Sequence, residues 1–121
     1  MSQPIIHIEI MGTDPAKSQK FYAGLFGWEI GKPAPQLGGY AMAEPTSAGL
    51  SCGIGSEGPG GRIRTTFYVE VPDLQAALDR AVELGGKVLS QPSAIPGTSI
   101  SLAQFADPDG NIVGLVKGMR Q

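Results

Sequence analysis

His7 and Glu9 stand two residues apart in IIHIEI, alternating with Ile6, Ile8 and Ile10. A strand with this pattern turns the isoleucines towards a core and carries the imidazole and the carboxylate together on its other face. Such a pair can do acid–base chemistry, because burial and neighbouring charge tune the proton affinity of each group. TTFYVEV repeats the arrangement, with Phe67, Val69 and Val71 expected inward and Thr66, Tyr68 and Glu70 sharing the opposite face. His7, Glu9 and Glu70 are therefore the candidate acid–base residues. Each has a plain structural alternative: a strand histidine satisfied by a backbone carbonyl, or glutamates at strand ends in water. Tyr68 has one too, as a core-edge aromatic whose hydroxyl reaches solvent.

The elements that must position these groups come in two similar sets. After IIHIEI, Asp14 can cap a helix, Pro15 suits its first turn, Phe21, Tyr22, Leu25 and Phe26 supply an apolar stripe, and Gly27 fits a left-handed stop. WEIGKP then reads as a strand, in which Trp28 packs. After TTFYVEV, Asp73 caps a helix with Leu74, Ala77, Leu78, Ala81 and Val82 along one face, and ELGGKVLSQP matches GLFGWEIGKP. At one constant offset His7 aligns with Thr66, Asp14 with Asp73, Leu25 with Leu84 and Gly27 with Gly86. YAMAE and GLSCGIG close the first set as short strands; ISLAQFA and NIVGLV close the second, joined by the turn DPDG. GKPAPQLGG, GSEGPGGR and QPSAIPG read as loops.

The chain thus predicts an α+β fold: one domain over 1–121 made of two βαβββ modules, about 4–56 and 63–118, forming a cup-shaped mixed sheet with the helices on its outer face. A cup lined from two modules is a natural ligand site. The 121 residues, 41% hydrophobic and 17% charged, are enough for one core without disulfides. A formal charge of -2 with scattered Lys and Arg argues against nucleic acid as partner. The start lacks a secretory pattern and no apolar run approaches a membrane span, so a cytoplasmic protein is expected. The single cysteine, Cys52, reads as a small buried core residue.

HIEIMGTDPAKSQKFYAGLFGWEI, VEVPDLQAALDRAVELGGKVL and FADPDGNIVGLV together resemble the vicinal oxygen chelate superfamily, the glyoxalase, bleomycin-resistance and extradiol-dioxygenase group, over nearly the whole chain. The resemblance is strongest to its small glyoxalase-like members. It implies a cup that in the metalloenzymes holds a divalent metal on first-strand and last-strand positions of each module. Those positions here are His7, Thr66, Gly53 and Gly114, of which only His7 can ligate strongly, whereas a catalytic metal ordinarily takes three protein ligands. The glycines would instead open the cup to close approach of a ligand; alternatively, Gly114 serves a bulge or a crowded crossing.

The expected lining of the cup is His7, Ser51, Gly53, Thr66, Tyr68, Ile112, Gly114 and Val116, with Glu9 and Glu70 beside them. Three functions compete. The first is binding of a small organic molecule without metal or other cofactor. The second is a lyase, isomerase or dioxygenase type of enzyme, either metal-dependent or run by acid–base residues. The third is a structural module with a vestigial cup. Glutathione and thioester substrates lack a basic cluster for their anionic ends. The resemblance favours a homodimer.

Overall fold

The computed structural model describes residues 2–120. Seven strands and three α-helices follow one another as β1 (Ile5–Met11), α1 (Pro15–Phe26), β2 (Ala41–Ala43), α2 (Pro45–Ala48), β3 (Ser51–Gly55), β4 (Arg64–Glu70), α3 (Leu74–Glu83), β5 (Lys87–Ala94), β6 (Ser101–Ala106) and β7 (Ile112–Lys117). The class is α+β. Residues 6–66 form one compact unit; residues 67–120, with the segment up to Ile5, form the other.

In the unit of residues 6–66 the strands lie in the order β2–β3–β1, with β1 parallel to β3 and β2 antiparallel to it. Asp14 caps α1 by accepting from the Lys17 amide, and Gly27 ends the helix at φ 72°. The period-2 alternation sends Ile8, Ile10, Cys52 and Ile54 to one side, where they pack with Ala43, Tyr22 and Trp28. The expected helix stripe is only partly used. Phe21, Leu25 and Phe26 are more than half exposed, and the buried residue of α1 is Gln19. WEIGKP is not a strand: Ile30 makes an isolated bridge to Ala43 and no more, because Gly31, Pro33 and Pro35 deny it a continuous ladder.

The unit of residues 67–120 has the order β4–β7–β6–β5, with β4 parallel to β7 and the remaining pairs antiparallel. The same grammar therefore recurs, first strand beside last, in parallel. Asp73 caps α3 through the Ala76 amide. Leu74 and Leu78 enter a core with Val71, Ala103 and Leu115. Phe67 and Val82, expected inward, are exposed. The left-handed stop after α3 falls on Gly85, φ 104°, rather than on Gly86. Gly86 is needed for a different reason, since a Cβ there would come within 2.8 Å of the Ala106 carbonyl oxygen. Gln91–Ala94 continue β5 across two register shifts, so the expected loop begins only at Ile95. DPDG turns as expected: the Gly110 amide donates to the Asp107 carbonyl at 2.9 Å with Gly110 at φ 96°.

Candidate functional site

Parallel register sets His7 of β1 beside Ser51 of β3, and Glu9 beside Gly53. Adjacent in-register residues share a face, so these four oppose the core that packs on α1. His7 and Glu9, 5% and 8% exposed, are more deeply buried than their isoleucine neighbours Ile8 and Ile10. Buried polar groups need partners, and these have them. His7 Nδ1 lies 2.8 Å from Ser51 Oγ, and Nε2 lies 2.8 Å from the Tyr40 hydroxyl. The same hydroxyl donates to Glu9 Oε2 at 3.3 Å. With that proton directed at Glu9, the imidazole donates from Nε2 and accepts at Nδ1 from Ser51, the tautomer of a neutral ring. Burial holds the His7 pKa below its ordinary value, against the opposing charge of Glu9.

Arg64, at the start of β4, completes the array. Its Nη2 is 2.7 Å from Glu9 Oε1, and its Nη1 donates to Thr66 Oγ1 at 2.7 Å. Its outer edge meets Glu57, with Nε donating to Oε2 at 2.8 Å. Burial works against the Arg64 charge, and Glu9 and Glu57 outweigh it, raising its pKa. Glu57 is held ionised first by the Arg62 amide and further by Arg64.

Tyr40 reaches its place through the turn before it. Gly38 and Gly39 take φ 67° and 89°, open only to residues without Cβ strain. Gln19 clamps this turn to the strand beneath by donating to both the Gly39 and Ile54 carbonyls at 2.9 Å. The ring then lies over Gly53 and Gly55. A Cβ on Gly53 would overlap the phenol, and one on Gly55 would come within 2.5 Å of the ring. The sequence reading gives Gly53 to close approach of a ligand; here the protein's own tyrosine takes the space beside it.

The second unit repeats the device. Tyr68 pairs with Gly114 in register, and a Cβ on Gly114 would overlap the Tyr68 ring. Aromatic cover of a strand glycine restores packing that the missing side chain forfeits. Gly114 sits in a regular ladder, so it serves no bulge either. The Tyr68 hydroxyl accepts from Gln104 Nε2 at 2.9 Å. Beside them a cavity of about 250 Å³ is lined by Tyr68, Gln104, Ser90, Ser93, Leu102 and Ile95. Val116 is buried opposite Glu70 in the β4–β7 register, and Ile112 lies half-buried at the start of β7. Glu70 itself is engaged at the surface by Arg120, at 2.6 and 3.1 Å.

His7, Glu9, Ser51 and Thr66 thus come together, and Tyr68 and Gly114 come together. Tyr40, Arg64, Gln19 and Gln104 were not expected from the sequence. The signal for Tyr40 is the alternation SCGIG, which leaves a flat shelf of two glycines on one face; Arg64 follows a glycine-rich loop and carries none.

A metal does not fit the positions that the resemblance assigns to it. Two of the four are glycines lying under tyrosine rings, Thr66 accepts from Arg64, and both His7 nitrogens are hydrogen-bonded. Among the described residues no group of three His, Cys, Asp or Glu side chains is arranged to hold an ion. Nor is any described helix long and apolar enough to cross a membrane.

The chain matches the glyoxalase-like domain family over residues 7–116. It is 32% identical over 120 residues to the Mycobacterium tuberculosis (strain CDC 1551 / Oshkosh) protein CFP32, which carries a provisional glyoxylase name; the match covers 93% of this chain and 45% of that protein, so the chain spans about half the length of that relative. A glyoxylase-like domain-containing protein of Didymella fabae is 30% identical over 112 residues, 86% of this chain and 85% of its own. Among solved structures, BH1468 of Bacillus halodurans C-125 superposes with a TM-score of 0.73 at 16% identity, covering 100% of this chain and 98% of that one. Methylmalonyl-CoA epimerase from Mycobacterium tuberculosis does so at 0.66 and 15%, over 93% and 86%. A Vibrio splendidus 12B01 member of the glyoxalase/bleomycin resistance protein/dioxygenase superfamily gives 0.65 and 18%, over 96% and 99%. With the domain match spanning nearly its whole length, the chain belongs to the glyoxalase-like family.

Proposed function

We propose that the protein binds a small organic molecule on these polar sheet faces without a resident metal. The observation that supports the reading is the exchange of ligating side chains for phenols. At Gly53 and Gly114 the family's ligand positions lie under Tyr40 and Tyr68. The groups that each unit offers are then neutral hydrogen-bonding ones: the His7 imidazole, the Tyr40 phenol and the Ser51 and Thr66 hydroxyls within residues 6–66, and the Tyr68 phenol and the Gln104 amide within residues 67–120. Such a set orients a polar molecule rather than polarising it through a cation. The cavity beside Tyr68 is of the size that takes a small one. Elemental analysis of protein purified without a chelator or a His tag, followed by thermal-shift screening of small polar aromatics, tests the reading. A metal at one equivalent per chain overturns it; a metal-free protein stabilised by a small organic ligand is the expected result.

A second reading, acid–base catalysis, is favoured by the bridging position of Tyr40. Its hydroxyl touches both His7 Nε2 and Glu9 Oε2, so a proton can pass between imidazole and carboxylate through one phenol. Glu70, tied to Arg120 at the surface, is the least suited of the three candidate acid–base groups. Incorporation of deuterium from D₂O into a bound ligand, lost in Tyr40→Phe, is the observation that would promote this reading over simple binding. A second copy of the chain is the partner that either reading assigns, since α1 leaves Phe21, Leu25 and Phe26 exposed. Sedimentation equilibrium at micromolar concentration checks it, with a monomer the outcome against.

A further inference from the structure

Of the residues around His7, Arg64 is bound most unevenly. Two of its partners lie deep and belong to strands: Glu9 is 8% exposed and Thr66 is 1% exposed. The third, Glu57, is different in kind. It belongs to the loop between Gly55 and Arg64, its side chain is 32% exposed, and Gly58 and Gly60 on the same loop take φ 90° and 80°. Its carboxylate oxygen Oε2 takes both Nε and Nη2 of Arg64 at 2.8 Å, the guanidinium edge suited to a carboxylate from any source.

We infer that the Nε–Nη2 edge of Arg64 is a binding site for the carboxylate of a small organic acid, and that Glu57 is a built-in stand-in which the ligand displaces. The inference rests on the reading that this face takes a small molecule, and it names the ligand class. The charge count supports it. Glu9 and Arg64 neutralise one another below, so a departing Glu57 and an arriving ligand carboxylate exchange one negative charge for another at the same edge, with Arg64 never left short of a partner. The loop is built so that Glu57 can leave as a unit. Glu57 holds the Arg62 amide through Oε1 at 3.0 Å and the Gly58 carbonyl accepts from the Gly61 amide, so its remaining bonds are internal to the loop. It is also closely fitted there: a Cβ on Gly61 would come within 2.5 Å of the Glu57 Cβ. Alanine at that position dislodges the stand-in without touching Arg64 or Glu9.

The test titrates benzoate and benzamide into the native protein, Glu57→Ala and Gly61→Ala, following heat of binding and the ¹⁵N–¹H resonance of Arg64 Nε. Both variants are expected to bind benzoate at least about tenfold more tightly than the native protein, the size of a lost charge-assisted competitor. The Arg64 Nε signal should shift with benzoate and stay still with benzamide. Benzoate binding that is equal in all three proteins, or that leaves the Arg64 resonance unmoved, overturns the inference while the binding reading stands. Two variants altered at different places keep the result readable if either one is poorly folded. The broader reading fails separately, by a lack of stabilisation from every compound, charged or neutral, in the thermal-shift screen.

Discussion

The phenol of Tyr40 ends over Gly53, its hydroxyl at the place where the first atom of any side chain on that strand position would stand. The relationship ties two distant parts of the sequence to one small volume. What lies on β3 decides whether the phenol can reach His7 and Glu9.

Gly53→Ala is therefore expected to cost about 1–3 kcal/mol, as overpacking does in a close-packed site. Most of that cost should vanish in a Tyr40→Ala background, where the added methyl meets empty space. Urea denaturation of the two single variants and the double variant measures the coupling; additive effects would show that the ring and the glycine are independent.

Gly114→Glu with Thr66→His, which would restore ligating groups at two of the family's metal positions, is expected to fail as a metal site. The glutamate overlaps the Tyr68 ring, and the same order of destabilisation follows. Calorimetric titration with Zn²⁺, Mn²⁺ and Ni²⁺ reads this directly. The native protein should bind all three weakly, and tight native binding would contradict a metal-free site.

Stability should fall on mild acidification. Burial lowers the His7 pKa in the folded protein, whereas the unfolded chain takes up that proton near pH 6.5. Below about pH 6.5 the unfolded state binds more protons, so unfolding becomes easier as pH drops until the folded imidazole also titrates. Comparing urea midpoints at about pH 7.5 and about pH 5.5 for native and His7→Gln protein isolates the term. The variant should show the flatter profile, and equal slopes would place the pH dependence elsewhere.

Gln19→Leu removes the hydrogen bond from α1 to the turn before Tyr40. The buried Ile54 carbonyl and the half-buried Gly39 carbonyl lose their Gln19 donor. The expected loss is about 1–3 kcal/mol, accompanied by faster hydrogen exchange of the Tyr40 amide. Unchanged exchange there would leave Gln19 a mere packing residue.

Cys52 is 4% exposed and burial raises its pKa, so a thiol reagent should label the native protein slowly and the urea-unfolded chain at once. Fast native labelling would mean that β3 opens readily. The thiol does line a cavity of about 310 Å³ with Trp28, Ile8, Ile10 and Leu50, and that wall is almost wholly apolar, which does nothing to favour a thiolate.

Local signals carried the fold well. Asp14 and Asp73 cap the two long helices, Gly27 stops the first, and DPDG turns between β6 and β7, each through chemistry confined to a few neighbouring residues. In both units the first strand lies parallel beside the last, a pairing that the repeat makes common to the two. Signals that depend on distant neighbours failed. Phe21, Leu25 and Phe26 have helix-core spacing, yet the side chain that α1 buries is the polar Gln19, whose partners lie twenty and thirty-five residues away. The shared face of His7, Glu9 and Ser51 was legible because alternation fixes which face a strand residue takes, and the same holds for Tyr68 and Gly114 in the other unit. Tyr40 and Arg64 were not, since one is delivered by a left-handed turn and the other is drawn inward only by the carboxylates it meets. At Gly114 the Tyr68 ring takes the room, and an absent side chain looks the same in sequence whether a ligand or a tyrosine does so.

Each glycine under a ring also sets the order in which this protein can change. A lineage that replaced Gly53 or Gly114 while its tyrosine stayed would pass through an overcrowded sheet. One that replaced the tyrosine first would pass through a hollow, with His7 or Gln104 stripped of its phenol. Both routes descend before they rise, so with a phenol settled on the bare strand a larger side chain enters there only by two coordinated substitutions.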